Sequence, residues 1–138
     1  MNTTATRTHT TAGILFLLTG IAHTIGQFAP SPLDPGSAAV EAAMKAHVIP
    51  HSSFTYWNIM TCWGALYGGM TFLFGALMLA VGHWTAHDVR GHRCTAITGC
   101  IAALLQGGVA VALATPPPAF FMFPAAALLA ISAWAGRK

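Results

Sequence analysis

Charge is scarce in this 138-residue sequence: lysine and arginine number six, aspartate and glutamate three, and together they make up 7% of the chain. Soluble domains contain about 25% charged residues, so this chain lacks the surface of a protein that folds in water. Six basic residues are also too few for a patch that follows nucleic-acid phosphates. Hydrophobic residues make up 55% of the chain, which excludes a disordered tail and predicts a membrane protein without a nucleic-acid partner.

Cysteine is also scarce, and no CxxC pair occurs among Cys62, Cys94 and Cys100. An odd number of scattered cysteines indicates neither a disulfide framework nor a paired thiol site. The only aspartates, Asp34 and Asp88, fall in predicted loops. A Ser-His-Asp arrangement for nucleophilic catalysis is therefore not indicated.

Long stretches without any charged residue predict the membrane spans. A transmembrane helix needs about 20 mostly apolar residues, and we predict spans over 12–28, 54–81, 95–114 and 119–135. The last two are separated by three prolines, which cannot continue a helix. The predicted fold is a single all-α integral membrane domain over residues 1–138, an antiparallel four-helix transmembrane bundle.

Residues 29–53 form the one long loop between spans, and Ser37 can cap a short helix there that ends at Pro50. We expect this helix to lie at the membrane interface as a lid over the bundle. Every lysine and arginine except Lys45 lies on the side of the termini, so the positive-inside rule predicts cytoplasmic termini and a periplasmic loop in a bacterial inner membrane. A cleavable signal peptide at the N-terminus is the less favoured alternative.

Glycines at helical spacing indicate how the spans associate in the bilayer. Gly64 and Gly68 form a GxxxG motif, which lets two helix backbones approach closely. The simpler interpretation is packing between spans of one chain. A homo-oligomer seam, or docking to a larger membrane complex, is the alternative.

Polar residues inside predicted spans are costly in lipid and are therefore candidates for function. His23 lies five residues before the end of its span, and counting residues places Asn58 of the next span at the same depth. Seven residues are predicted to line a pocket in the outer leaflet: His23, Gln27, Glu41, Tyr56, Trp57, Asn58 and Gln106. His23 is the predicted acid–base group, Asn58 and Tyr56 are the further catalytic candidates, and the remaining four are predicted to bind ligand. The alternative is that His23 only bonds to Asn58 or a backbone carbonyl.

Two histidine pairs have the i, i+4 spacing of metal ligands. His83 and His87 are predicted to form a solvated cluster at a helix end rather than a metal site. His47 and His51 are separated by Pro50, which spoils a shared helical face. A haem at the depth of His23 lacks a second histidine in the other spans. We therefore predict neither a metal nor a cofactor.

Three short motifs carry a resemblance: GIAHTIG at 20–26, Ala-Ala-Met at 42–44 and Tyr-Trp-Asn at 56–58. With them, residues 12–80 resemble a family of small bacterial four-span membrane proteins that are loosely similar in layout to DoxX-like proteins. The resemblance implies the four-span fold and points to His23 and the Tyr-Trp pair, but it implies no reaction. The residue after Tyr-Trp is often aspartate in that family, and Asn58 in its place weakens a role as general acid.

These features favour a membrane protein, embedded in the lipid bilayer, that binds a small lipophilic molecule around His23. The alternative is a membrane-embedded enzyme that uses the same pocket for acid–base isomerisation, hydration or ring closure. A third class is a structural subunit of a larger membrane complex.

Overall fold

The computed structural model describes residues 3–28, 34–112 and 116–136. They form five α-helices: α1 (Thr3–Phe28), α2 (Pro35–Ala46), α3 (Tyr56–Trp84), α4 (Val89–Ala112) and α5 (Pro116–Ala135). A turn of 3-10 helix, Thr85–His87, joins α3 to α4. The described residues contain no β-strand, only an isolated antiparallel bridge between Val48 and Thr55.

Four of the helices, α1, α3, α4 and α5, are long and apolar enough to cross a membrane. Many of their largest side chains are exposed, including Met70 at 70% and Phe120 at 74%. Such exposure is costly in water and costs nothing in hydrocarbon, where lipid tails are as apolar as leucine. The predicted all-α membrane bundle is thus confirmed.

The bundle has two ends, which we name by what they carry. The termini end holds the start of α1, the end of α3, the start of α4 and the end of α5, and the α2 end is the opposite one. Helix α1 packs against both α3 and α5, whereas α4 packs mainly on α5. Contact of α3 with α4 includes the Met78 side chain, which lies against Gly99.

Glycines bring α1 and α3 into backbone contact. A Cβ on Gly20 would lie 2.5 Å from the backbone nitrogen of Phe72, and one on Gly75 would lie 2.7 Å from that of Leu17. Both distances are shorter than real Cβ atoms tolerate, so only glycine permits this approach. The predicted motif glycines, Gly64 and Gly68, also face α1, as the simpler interpretation predicted.

Small residues form most of the buried core. Alanines fill the crossings of α1, α4 and α5, and the largest core side chains are Phe16, Met122 and Leu129. The Phe16 ring packs edge-on against Phe74, with ring centroids 5.0 Å apart. Close packing of this kind holds helices together where lipid offers no hydrophobic driving force.

Helix α2 is fixed mainly at its two ends. Asp34 accepts hydrogen bonds from the backbone amides of Gly36 and Ser37 and from the Ser37 hydroxyl. The Ser37 hydroxyl, then these amides, hold the pKa of Asp34 below its usual range. No residue of α2 is buried, and its packing on the rest of the chain is against the start of α3. The N-cap is therefore Asp34, not Ser37 as predicted.

The helices begin and end outside the predicted spans at several points. Helix α1 begins nine residues before residue 12, and α4 begins six residues before residue 95. Helix α5 begins at Pro116 rather than at residue 119, because prolines in a first turn lose no intrahelical hydrogen bond. The extensions of α1 and α4 bring additional residues into the bundle at the termini end, whereas the extension of α5 lies at the α2 end.

Candidate functional site

His23 does not lie at the level of Asn58, so that prediction is wrong. The His23 ring packs edge-on against Tyr67, with ring centroids 4.8 Å apart. Tyr67 follows Asn58 by nine residues, which corresponds to about 14 Å along α3 at a rise of 1.5 Å per residue. Gln27, near the end of α1, already faces Gly64. The first two turns of α3 therefore extend beyond α1.

Asn58 and Tyr56 have local partners at the start of α3. The Asn58 side-chain oxygen accepts hydrogen bonds from the Thr55 amide at 2.9 Å and the Thr55 hydroxyl at 2.7 Å. In return, the backbone N–H of Asn58 donates to the Thr55 hydroxyl oxygen at 3.2 Å, and this bond completes a capping box. The Tyr56 ring lies 5.3 Å from that of His47. Both predicted catalytic residues thus stabilise the helix start.

Glu41 and Trp57 are brought together through a third residue, Lys45. The Lys45 ammonium forms an ion pair with the Glu41 carboxylate and lies 4.7 Å from the centre of the Trp57 ring. An aromatic face attracts a cation at this distance. The group is partly exposed, its charges are matched, and it joins α2 to α3.

Gln106 lies on α4, and its side-chain oxygen is buried without a hydrogen-bond partner. The next residue, Gly107, faces Phe123 of α5. Among the described residues, no hydrogen bond or ring contact joins Gln106 to His23. The seven predicted pocket residues therefore fall into separate groups: His23 and Gln27 along α1, the residues at the α2 end, and Gln106.

Neither histidine pair with metal-ligand spacing shares a helical face. Helix α3 ends at Trp84, so His83 lies in the α-helix and His87 in the 3-10 turn. His47 caps the end of α2, and His51 lies in the following turn with φ of 64°. Within the described ranges, no three histidine, cysteine or acidic residues cluster as metal ligands.

The most deeply buried polar cluster lies at the termini end and was not predicted. His9 of α1 and His92 of α4 are 1% and 0% exposed. Their rings lie 4.7 Å apart between centroids, tilted by 44°. Ser132 of α5 is also fully buried and contacts His92. Two imidazoles and a hydroxyl thus meet where three helices converge.

Hydrogen bonding fixes which nitrogen carries the proton in each neutral ring. His9 Nε2 lies 3.1 Å from the Met78 carbonyl oxygen, which can only accept, so Nε2 is the donor. The Ser132 hydroxyl donates to the Ala5 carbonyl at 2.8 Å, so it accepts from His92 Nε2 at 2.9 Å. Each Nδ1 is then a bare acceptor. Both Nδ1 atoms are buried and have no hydrogen-bond partner.

A cavity of about 280 Å³ adjoins the two rings. Its lining comes from α1, α3 and α4: Thr6, His9, Thr10, Leu79, Gly82, His83 and His92. Gly82 makes room for His9, because a Cβ there would lie 2.6 Å from the imidazole Cδ2. An engineered apolar cavity of about 150 Å³ can hold benzene, so this space is large enough for a small ring or chain.

The sequence contained a signal for this site in the spacing of its small residues. His92, Ala96, Gly99 and Ala103 recur at helical spacing, and all four are buried on one face of α4. His9 precedes Ala12 and Phe16 in the same way on α1. Extending these two faces towards the start of each helix, past Arg93 on α4, places both histidines inside the bundle.

The chain matches no protein-family model, no curated protein and no solved structure. The resemblance to DoxX-like proteins therefore stays a prediction.

Proposed function

We propose that this multi-pass membrane protein binds a small lipophilic molecule in the cavity beside His9 and His92. The observation that carries the proposal is a cavity of about 280 Å³ among the membrane-spanning helices, lined by an apolar Leu79 side chain and by the polar side chains of two threonines and three histidines. The expectation of a lipophilic ligand is kept, while its site moves from His23 to the termini end.

The surroundings of the cavity support a ligand that arrives from the bilayer. Thr6 and Thr10 on its wall are exposed residues of a membrane-spanning helix. Leu79 contributes an apolar side chain to the lining. His83 adds an imidazole to the hydroxyl groups of the two threonines. Mostly apolar pockets with a few placed polar groups are typical of small-molecule sites.

The distribution of basic residues supports cytoplasmic termini in an inner membrane. Arg7, Arg90 and Arg93 lie at the termini end, whereas Lys45 lies at the α2 end. Cytoplasmic segments carry the excess of lysine and arginine in bacterial inner membranes. On this proposal the ligand site faces the cytoplasmic leaflet.

A cavity-filling variant tests the proposal. Thr10→Trp places a large ring in the cavity from its exposed side, and Thr11→Trp is the matched control because Thr11 is exposed and is not part of the lining. We expect native mass spectrometry from mild detergent to show a bound small molecule on the wild type and on Thr11→Trp, but not on Thr10→Trp. Added 4-butylphenol should raise the thermal midpoint of the first two proteins only. Equal responses in all three would contradict the proposal.

An acid–base enzyme using the same cavity is the second candidate function. A neutral imidazole beside a bound molecule can act as a general base, and three histidines line this cavity: His9, His83 and His92. The candidate predicts that a ligand recovered from the wild type is chemically converted during incubation. It further predicts that His9→Gln binds this molecule without converting it, whereas unchanged conversion would exclude His9 as the base.

A further inference from the structure

We propose that His9, His92 and Ser132 form a pH-sensitive clasp, which holds the termini end of the bundle closed at neutral pH and releases it in mild acid. The clasp joins all four membrane-spanning helices through three hydrogen bonds. His9 of α1 donates to the Met78 carbonyl of α3 at 3.1 Å. His92 of α4 donates to the Ser132 hydroxyl of α5 at 2.9 Å, and that hydroxyl donates to the Ala5 carbonyl of α1 at 2.8 Å.

The ionisable side chains of the elements around the two rings are basic, with one exception: Arg7 of α1, His83 of α3, His87 of the 3-10 turn, and Arg90 and Arg93 of α4. All of them are exposed. Helix α5 places Ser132 and Gly136 near His92, and neither carries a charge. The exception is Asp88, which is exposed and accepts from the Arg90 backbone amide at 3.0 Å. Among the residues that the structure describes, neither buried ring forms an ion pair with a carboxylate.

The closed clasp has no place for a proton beyond those it already holds. A second proton on either ring would sit on Nδ1, which is buried and has no hydrogen-bond partner. The resulting imidazolium would be a buried charge without a counter-charge, which is among the most costly groups in a protein interior. With both rings protonated, two positive charges would also repel each other, because the ring centroids are 4.7 Å apart.

Proton uptake is therefore coupled to opening of the clasp. His9 and His92 are 1% and 0% exposed, so the rings take up protons only when the helices separate and water reaches them. The open state then binds more protons than the closed state, and a fall in pH favours the open state. The direction is fixed by this difference: opening increases below the ordinary pKa of imidazole, about 6.5, and is insensitive to pH well above it.

The size of the effect follows from the same value. A histidine that is neutral in the closed state and titrates freely in the open state raises the opening equilibrium constant about tenfold between about pH 7.5 and pH 5.5. Two such histidines raise it about a hundredfold. His83 and His87 are exposed in the closed state, so they titrate in both states and add little to the difference.

Hydrogen exchange of backbone amides tests the proposal on the full chain in nanodiscs of zwitterionic lipid. Protection is expressed relative to the intrinsic exchange rate at each pH, so that it reports the opening equilibrium. From the higher to the lower of these two pH values, we expect protection to fall about a hundredfold over residues 9–13 of α1 and 92–96 of α4. Residues 103–107, farther along α4, are the internal control and should stay protected.

Glutamine variants separate the clasp from general acid sensitivity. Glutamine keeps an N–H donor but takes up no proton in this range. His9→Gln and His92→Gln should each reduce the fall in protection to about tenfold, and the double variant should abolish it. His87→Gln is the matched control, since it removes an exposed histidine at the same end, and it should show the full fall.

Three results would overturn the proposal. The first is equal protection of the wild type at both pH values, a comparison that needs no variant to fold. The second is an equal fall over residues 103–107, which would indicate unfolding of the whole bundle rather than release of the clasp. The third is a double variant that loses as much protection as the wild type. None of these measurements depends on a ligand, so the proposed binding function is tested separately.

Discussion

Replacing Gly20 by alanine tests whether the backbone contact between α1 and α3 holds the bundle together. The added Cβ would lie 2.5 Å from the Phe72 nitrogen, 2.7 Å from the Gly68 carbonyl oxygen and 2.8 Å from the Phe72 Cα. All three atoms belong to backbone, so no side chain can rotate away to accommodate the methyl group. The two helices must move apart instead.

The size of the effect follows from these distances. Ordinary contact begins at 3.4 Å, so the Gly20 region must open by about 0.9 Å, the difference between 3.4 and 2.5 Å. A gap of 0.5–1 Å forfeits a quarter to a half of each dispersion contact beside it, and overpacked core sites lose typically 1–3 kcal/mol. Against this, alanine gains about 1 kcal/mol over glycine in helix propensity.

Gly69→Ala is the matched control, since a Cβ on Gly69 meets no atom within 4 Å. Both variants gain the same helix propensity, so the difference between them isolates the packing term. Reversible unfolding in mixed detergent micelles, with increasing denaturing detergent, should show Gly20→Ala less stable than Gly69→Ala by about 2 kcal/mol. Equal stabilities would show that α1 and α3 are not in backbone contact at Gly20.

Three further predictions concern the α2 end and the orientation of the chain. Because the pKa of Asp34 is lowered in the folded state, its cap contributes fully above the ordinary value of 3.8 and is lost as the pH falls below it. The protection of the α2 amides from hydrogen exchange, relative to the intrinsic exchange rate at each pH, should fall only in that acid range, and a loss of protection at neutral pH would contradict this. Asn58→Ala should destabilise the start of α3, with faster exchange there and a cost of about 1 kcal/mol that leaves ligand binding unchanged, because the residue caps a helix with Thr55. In a cysteine-free background and intact bacterial cells, a membrane-impermeant maleimide should label Ser52→Cys and not His87→Cys; the reverse pattern would place the termini outside.

The fold could be predicted because lipid imposes a simple rule on sequence. Segments without charge that are long enough to cross hydrocarbon must be helical, and the proline run from Pro116 marks the division between the last two helices. Helix ends were predicted less well. A charged residue in the sequence suggests the end of a span, whereas Arg7 and Arg90 lie within helices that continue through them. Long basic side chains reach the interface from inside a helix end.

The site could not be predicted for two physical reasons. Counting residues from helix ends assumes that neighbouring helices end at the same level, but α3 extends two turns past α1, which separates His23 from Asn58. The truncated helices also left His9 and His92 in a tail and a loop, where polar residues need no explanation. His9 bonds to the Met78 backbone carbonyl and His92 to the Ser132 hydroxyl. These partners are 69 and 40 residues away in sequence, so no local motif marks the two histidines.

Nitrogen-15 NMR of histidine-labelled protein in nanodiscs tests most directly whether two bare imidazole nitrogens sit inside the bundle. Variants His9→Gln and His92→Gln assign the signals of the two buried rings. We predict that at neutral pH both rings are uncharged, with the proton on Nε2 and a bare Nδ1, and that 4-butylphenol shifts the nitrogen signals of at least one ring. Rings that are charged at neutral pH, or that carry the proton on Nδ1, would contradict this account of the buried histidines.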